Sequence, residues 1–318
     1  MAAEFDLIAL VRARAPTRAD VVLGIGDDAA LLQPPPGRQL VVAMDTLNAG
    51  VHFPAETAPA DIGWKALAVN LSDLAAMGAE PAWCTLSLSL PEADPAWLQG
   101  FLDGFLALAA DCGVALVGGD TTRGPLSVCV TAHGLVEPGA ALRRDAARAG
   151  DLVWVTGTLG DAAGALAQWR SATDVDPALR RRLDRPTPRL AAGRALRGVA
   201  HACVDVSDGL LADLGHVCTA SGVGAEVDVD ALPCSPALAA YATADARRAL
   251  QAAGGDDYEL CFTTAATARD GVTGVAEMTG VAIACIGRIV ATPGVRAADA
   301  AGAPWRPAGS GHEHFRPG

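Results

Sequence analysis

Apolar positions fall into short runs of changing period. Gln39–Met44, QLVVAM, is a continuous run that predicts a buried strand ending at Asp45. From Asp61 to Met77 the apolar residues Ile62, Leu67, Val69, Leu71, Leu74 and Met77 are nearer helical spacing than alternation, and Gly78 sits where a helix C-cap glycine would. Cys84–Leu90 alternates like a strand, Trp97–Ala110 reads as a helix, and Ala115–Val117 is a short strand running into Gly118-Gly119-Asp120. Ser127–Val136 is a further strand, ended by Glu137-Pro138-Gly139. Near Gly150 the pattern restarts with the strand DLVWVTG, a turn and a helix from Asp161. The prolines of DRPTPR (184–189) predict a loop, and a helix follows it. Then come the strand ACVDVSD, the helix GLLADLGHVCTAS, a strand near Ala225–Val229, a turn at GGDD (254–257), and the strands YELCFTT and ACIGRIV. Strands and helices mix without a regular βαβ period. The expectation is two α/β domains, 1–146 and 147–318, with the boundary near Arg143–Gly150.

Composition narrows the function classes. With 51% hydrophobic and 19% charged residues over 318 positions, a large core is available and disorder is not expected. No apolar stretch is long enough to span a membrane, and the start MAAEFDLIAL lacks the basic-then-apolar layout of a secretory signal. The eight cysteines form no CxxC pair, which fits a reducing compartment, and a cytoplasmic location is expected. A net charge of −12 argues against a nucleic-acid surface. Lys65 is the only lysine, and its context DIGWKALAV is not a phosphate loop; the kinase loop HRD is absent too. Nucleotide chemistry here needs another device.

Aspartates supply a candidate. In GIGDDAALL (24–32) a glycine turn is followed by Asp27 and Asp28, adjacent like charges that call for solvent, a partner or a metal. Apolar runs elsewhere end on Asp45, on Asp120, and on Asp205 and Asp208 of DVSD, and a mostly apolar helix carries Asp73. Each alone has an ordinary structural reading, such as a turn or an N-cap. As a set without cationic neighbours in sequence they shift their own ionisation unless a metal arrives. Oxygen-only ligands favour Mg²⁺ or Ca²⁺, and Mg²⁺ is commonly held by a few carboxylates plus substrate phosphates. Glycines beside them let backbone approach phosphate.

GIGDDAALL, MDTLNAGVHF, KALAVNLSDLAAMGAEPAW, LVGGDTTRGPL, VTGTLGDAAGAL, DRPTPR, VDVSDGLLADLGH, GGDDYELCF and the terminal HEHF occur in that order from Glu4 to Phe315. Together they resemble the thiamine-monophosphate kinase family, within the wider superfamily of ATP-using aminoimidazole-ribonucleotide synthetases. The resemblance implies a two-domain α/β (α+β) fold: an N-terminal mixed sheet that pairs across a homodimer, and a C-terminal α/β domain. It implies phosphoryl transfer from ATP to thiamine monophosphate, with several Mg²⁺ ions as cofactor. Carried over by motif, the metal ligands are Asp28, Asp45, Asp73, Asp120, Asp205 and Asp208, with a backbone contact at Met44. Gly119, Asp120, Arg144 and Ser207 fall at the ATP, with Arg143 competing for the role of Arg144. His52, Asp256 and His312 fall at the thiamine substrate. No side-chain nucleophile or base is expected, because the attacking phosphate oxygen is already ionised.

Several positions depart from the family pattern. Ala43-Met44 replaces the usual hydroxyl residues, Cys112 stands where a tyrosine often lies near the nucleotide, and His312 replaces an aromatic. Asp256 is one methylene shorter than the usual glutamate. Two rival readings are another ATP-using enzyme of the superfamily, such as aminoimidazole-ribonucleotide synthetase, and a nucleotide- or metal-binding module without turnover. No membrane or nucleic-acid partner is expected.

Overall fold

The computed structural model describes residues 4–307, and the chain divides into two compact units. The first comprises residues 1–74 and 79–139; the second takes residues 140–318 together with 75–78. His312 and the terminal HEHF lie outside the described residues.

The first unit runs α1 (Glu4–Arg14), β1 (Val21–Leu23), β2 (Leu31–Leu32), β3 (Gln39–Asn48), α2 (Pro59–Ala76), β4 (Glu80–Leu90), α3 (Pro95–Cys112), β5 (Ala115–Arg123) and β6 (Ser127–Val136). β3, β6, β4 and β5 form one sheet in that order, and only the β4–β5 pair is parallel. β1 and β2 pair as a small antiparallel hairpin. Two strands are longer than their apolar runs predict. β3 continues through Asp45-Thr46-Leu47-Asn48 because β6 pairs with it as far as Ser127. β5 continues through Gly118-Gly119-Asp120 and on to Arg123 because β4 supplies partners over that whole length. Both aspartates therefore sit within strands and not at their ends.

α3 shows why these residues make a helix. Asp94 accepts hydrogen bonds from the Ala96 and Trp97 amides, Pro95 opens the first turn, and Gly113 ends it at φ 68°. Its buried face repeats Leu98, Phe101, Leu102, Phe105, Leu108 and Ala109. α2 is apolar through nearly its whole length, and Leu67, Leu71 and Leu74 are fully buried. The two helices meet through glycines. A Cβ on Gly104 would lie 1.7 Å from the Ala60 carbonyl oxygen, and one on Gly63 would lie 2.1 Å from that of Phe101.

The opposite face of the sheet is different. On the edge strand β3, Leu40, Val42 and Met44 point alternately outward and are 51%, 56% and 63% exposed. The hairpin adds exposed Val22 and Leu31.

The second unit runs β7 (Leu152–Thr156), α4 (Asp161–Arg170), α5 (Pro177–Asp184), α6 (Leu190–Ala195), β8 (Ala202–Asp205), α7 (Leu210–Ser221), β9 (Gly224–Asp228), α8 (Pro236–Tyr241), α9 (Ala244–Ala253), β10 (Leu260–Thr264), α10 (Arg269–Thr279), β11 (Ile283–Val290), β12 (Gly294–Ala298) and β13 (Pro304–Trp305). Its seven-stranded sheet has the order β13-β12-β9-β11-β7-β10-β8. Only β12–β9 is parallel, which is why no βαβ period is visible in the sequence. α7 packs on this sheet through Leu210, Leu214, Val217 and Cys218, which share a core with Val153, Val155, Val204 and Ile286. Among the described residues no helix is long and apolar enough to cross a membrane.

The α2–α3 crossing gives a direct test. Gly104→Val should lower stability by about 2–3 kcal/mol or prevent folding, because a backbone carbonyl occupies the space of the added side chain. Chemical denaturation checks this; an unchanged midpoint would show that the helices do not approach so closely.

Candidate active site

In the first unit, Asp27, Asp28, Gly119 and Asp120 line one cavity of about 400 Å³ between the loop after β1 and the β4–β5 pair. Among the described residues no lysine or arginine lines it. The Asp28 amide donates to the Asp27 carboxylate at 2.8 Å, so Asp27 shapes the turn that presents Asp28. Arg12 of α1 lies against the turn: a Cβ on Gly26 would meet its guanidinium at 2.6 Å. Gly119 has φ 153° and stacks so tightly on β4 that a Cβ would lie 1.8 Å from the Leu86 carbonyl oxygen. The sequence Gly-Gly-Asp thus brings bare backbone and one carboxylate to the cavity wall.

Asp45 and Asp73 are linked through α2. The Asp45 amide donates to the Asn70 side-chain oxygen at 2.9 Å, and the Asn70 amide group donates to the Ala66 carbonyl at 3.1 Å. Asp73 lies one helical turn beyond Asn70 on the same side of α2. Because the 44–45 peptide is trans, an Asp45 amide that points to Asn70 turns the Met44 carbonyl the opposite way, toward β6. The Met44 side chain stands on the exposed outer face.

His52 follows β3 in a turn closed by its own ring. The Asn48 amide donates to His52 Nδ1 at 2.9 Å, and the His52 amide donates back to the Asn48 carbonyl at 3.0 Å. Lys65 reaches this turn from α2. It is only 2% exposed and donates to the His52 carbonyl at 3.1 Å. The chain's one lysine, whose context DIGWKALAV is no phosphate loop, supports the His52 turn.

In the second unit, Asp205 ends β8 and is buried, and Ser207 and Asp208 form the loop into α7. Asp213 holds that loop. Its Oδ2 accepts the amides of Ser207, Asp208 and Gly209, each at 3.1 Å. Burial pushes the Asp213 carboxyl up to about 7, and the charges of Asp205 and Asp208 add to this against the pull of the amides. Arg143 and Arg144 separate clearly. Arg143 forms an exposed two-bonded pair with Asp145 at 2.5 and 2.8 Å, whereas the Arg144 side chain has no such partner among the described residues.

Asp256 lies beside this loop, its amide donating to the Ser207 carbonyl at 2.9 Å. Asp256 and Tyr258 have φ of 68° and 51°, in the left-handed region that residues other than glycine avoid. Such residues cost about 1–3 kcal/mol each and persist only where the surroundings fix them. The surroundings here are an ionic cluster that the sequence did not reveal. Glu259 is fully buried and receives Arg189 through two bonds of 2.5 and 2.6 Å, Arg182 at 2.7 Å, and the Thr156 hydroxyl at 2.7 Å. Both oxygens of buried Asp257 accept the Gly160 amide at 2.9 Å. Burial raises the Asp257 carboxyl well above the ordinary range, while the Gly160 amide and Arg182 oppose this. Asp161 completes the group, accepting the hydroxyls of Thr158 and Ser235 at 2.7 and 2.5 Å. VTGTLGD, DRPTPR and DDYEL therefore converge. Gly157 is required because a Cβ there would lie 2.1 Å from Glu259 Oε1.

Apart from the Met44 backbone, every oxygen ligand expected from sequence is a carboxylate, a donor type that suits Mg²⁺. Among the described residues, no group of three or more His, Cys, Asp or Glu side chains is arranged to hold an ion by itself. Mg²⁺ held by one or two carboxylates together with substrate phosphates needs no such cage, so the donor chemistry fits that mode.

The fold and these motifs define an AIR synthase-related protein. The family profile "AIR synthase related protein, N-terminal domain" matches residues 26–136, and the corresponding C-terminal domain matches 148–299. The chain is 50% identical over 298 residues to a thiamine-monophosphate kinase of Salmonella typhimurium, covering 91% of this chain and 90% of that one. It is 41% identical to one of Caulobacter vibrioides, covering 92% and 86%. The crystal structure of thiamine-monophosphate kinase from Stenotrophomonas maltophilia superposes with a TM-score of 0.87 at 59% identity, covering 93% of this chain and 96% of that one. AaThiL, solved complexed with AMPPCP and TMP, gives a TM-score of 0.78 at 31% identity, covering 98% and 97%. The chain belongs to the thiamine-monophosphate kinase family. The hydrogenase maturation protein HypE, at 19% identity and a TM-score of 0.77, shares the fold.

The ionic cluster predicts a stability effect. Glu259→Gln strands two guanidiniums that are largely withdrawn from water and should cost about 3–5 kcal/mol of unfolding free energy. Urea denaturation reads it; a loss below about 1 kcal/mol would show that the cluster contributes little.

Proposed function

We propose that this chain transfers the terminal phosphoryl group of ATP to the phosphate of thiamine monophosphate, giving thiamine diphosphate and ADP. The observation that carries this reading is family membership at 50% identity over nearly the whole chain, with a solved relative holding AMPPCP and TMP. The acceptor oxygen is ionised at neutral pH, so no side-chain base is required, and the obstacle is bringing two polyanions together. When bound, Mg²⁺ neutralises phosphate charge and aligns the reacting oxygens.

We assign Asp28, Asp45, Asp73 and Asp120 of the first unit, and Asp205 and Asp208 of the second, as the metal-holding carboxylates. Met44 has only its backbone to offer, and its carbonyl turns to β6, so the side-chain carboxylates carry this assignment. Gly119 gives ATP phosphates an unobstructed backbone, Ser207 presents its loop to the nucleotide, and Arg144 supplies a guanidinium with no carboxylate partner among the described residues. His52 and Asp256 are assigned to the thiamine moiety, with His312 of the terminal segment. A cytoplasmic setting is supported by eight cysteines that are all free thiols.

Purified protein with ATP, Mg²⁺ and thiamine monophosphate should produce thiamine diphosphate, and EDTA should abolish the product. Asp45→Asn and Asp73→Asn should each lower kcat by orders of magnitude with an unchanged melting temperature. No product across salt and pH would overturn the kinase reading. Normal turnover in both variants would overturn the metal assignment.

We also propose a homodimer formed through the outer face of the first unit's sheet. Leu40, Val42 and Met44 expose an apolar row there on an edge strand, a surface that a second copy would cover. Light scattering at micromolar concentration should give twice the monomer mass, and Val42→Glu should shift it toward the monomer. A wild-type monomer under these conditions would refute the dimer.

A further inference from the structure

We propose that Tyr258 is a positioning residue for the thiamine acceptor, acting through Asp256; the inference rests on the kinase reading above. The Tyr258 hydroxyl donates to Asp256 Oδ1 at 2.9 Å, while the tyrosine ring is buried and Asp256 is half-buried. The bond joins residues two apart in the chain, both held at positive φ. The backbone is tied on either side of the pair. The Asp256 amide donates to the Ser207 carbonyl and the Tyr258 amide to the Val206 carbonyl, at 2.9 and 2.8 Å. Between them the Asp257 side chain points the other way, to Gly160, and Glu259 is clamped by Arg182 and Arg189.

The consequence is a carboxylate whose plane is set before any ligand arrives. An aspartate on a loop otherwise rotates about χ2, and ordering it costs binding free energy. A carboxylate fixed in direction suits a ligand with N–H donors or positive charge, and the aminopyrimidine and thiazolium of thiamine offer both. ATP offers phosphates, which this carboxylate would repel. The shorter Asp256 makes the hydrogen bond more important, since a shorter arm tolerates less error in direction.

The test uses the full-length protein. Tyr258→Phe removes only the hydroxyl. With thiamine monophosphate varied at saturating ATP and Mg²⁺, its KM should rise about tenfold, as expected for losing a hydrogen bond to a charged group. The KM for ATP and the melting temperature should stay at wild-type values. Asp256→Asn should raise the same KM, and the double variant should be no worse than Asp256→Asn alone, because the tyrosine acts through that carboxylate. An unchanged acceptor KM in Tyr258→Phe, multiplicative effects in the double variant, or a joint rise of both KM values with a lower melting temperature would each overturn the inference while leaving the kinase reading intact. Wild-type protein that makes no thiamine diphosphate would overturn the kinase reading, and this inference with it.

Discussion

The second unit is organised around one carboxylate that has lost its water. Glu259 is completely buried, and withdrawing such a charge costs several kcal/mol unless opposite charge and hydrogen bonds replace the solvent. Arg182, Arg189 and Thr156 supply that replacement from three separate stretches of chain. Satisfying Glu259 therefore fixes the end of β7, the connection between α5 and α6, and the start of β10 relative to one another. The loop immediately before β10 inherits this rigidity. Two residues with positive φ can be held there because the chain on both sides has little freedom to relax them.

The first unit works on the opposite principle. Its carboxylates at the cavity are exposed, and among the described residues no lysine or arginine lines that wall. What the backbone provides is placement: a turn braced by Asp27, a strand pressed against Leu86 at Gly119, and Asn70 holding the Asp45 amide. Charge compensation is built into the fold of the second unit; in the first, on the reading proposed above, it is left to bound species. This division matches a reaction in which polyanionic substrates have to be gathered without a catalytic lysine.

Much of this was legible in the chain. The helices α2, α3 and α7 and the strand β6 follow their apolar periods closely, because a buried face forces a repeat into the sequence. β3 and β5 ran past their expected ends, since polar Asp-Thr and Gly-Gly-Asp segments are held by ladder hydrogen bonds to β6 and β4 and need no apolar side chains. α5 and α9 are short, polar segments rich in arginine and alanine, and their few apolar residues, though gathered on one face, span too few turns to stand out as a repeat. The aspartates beside glycines stood out as a set. The Glu259 cluster did not, because its partners lie 70, 77 and 103 positions away, and DRPTPR reads locally as nothing more than a proline loop. Arg143 and Arg144 were indistinguishable as neighbours in sequence; the Asp145 pair separates them.

The glycine contacts between α2 and α3 bear on how such a chain can change. Its composition leans heavily to alanine, and replacing glycine by alanine is the smallest step in side-chain size. At Gly63 and Gly104 that step is closed, because a carbonyl oxygen already stands where the methyl group would go. Other helix glycines carry no such bar, since a Cβ on Gly215 or Gly274 would meet no backbone atom. Drift toward alanine is therefore open at those positions and closed at the α2–α3 crossing, so the two sets should part company in relatives whose composition has moved the same way.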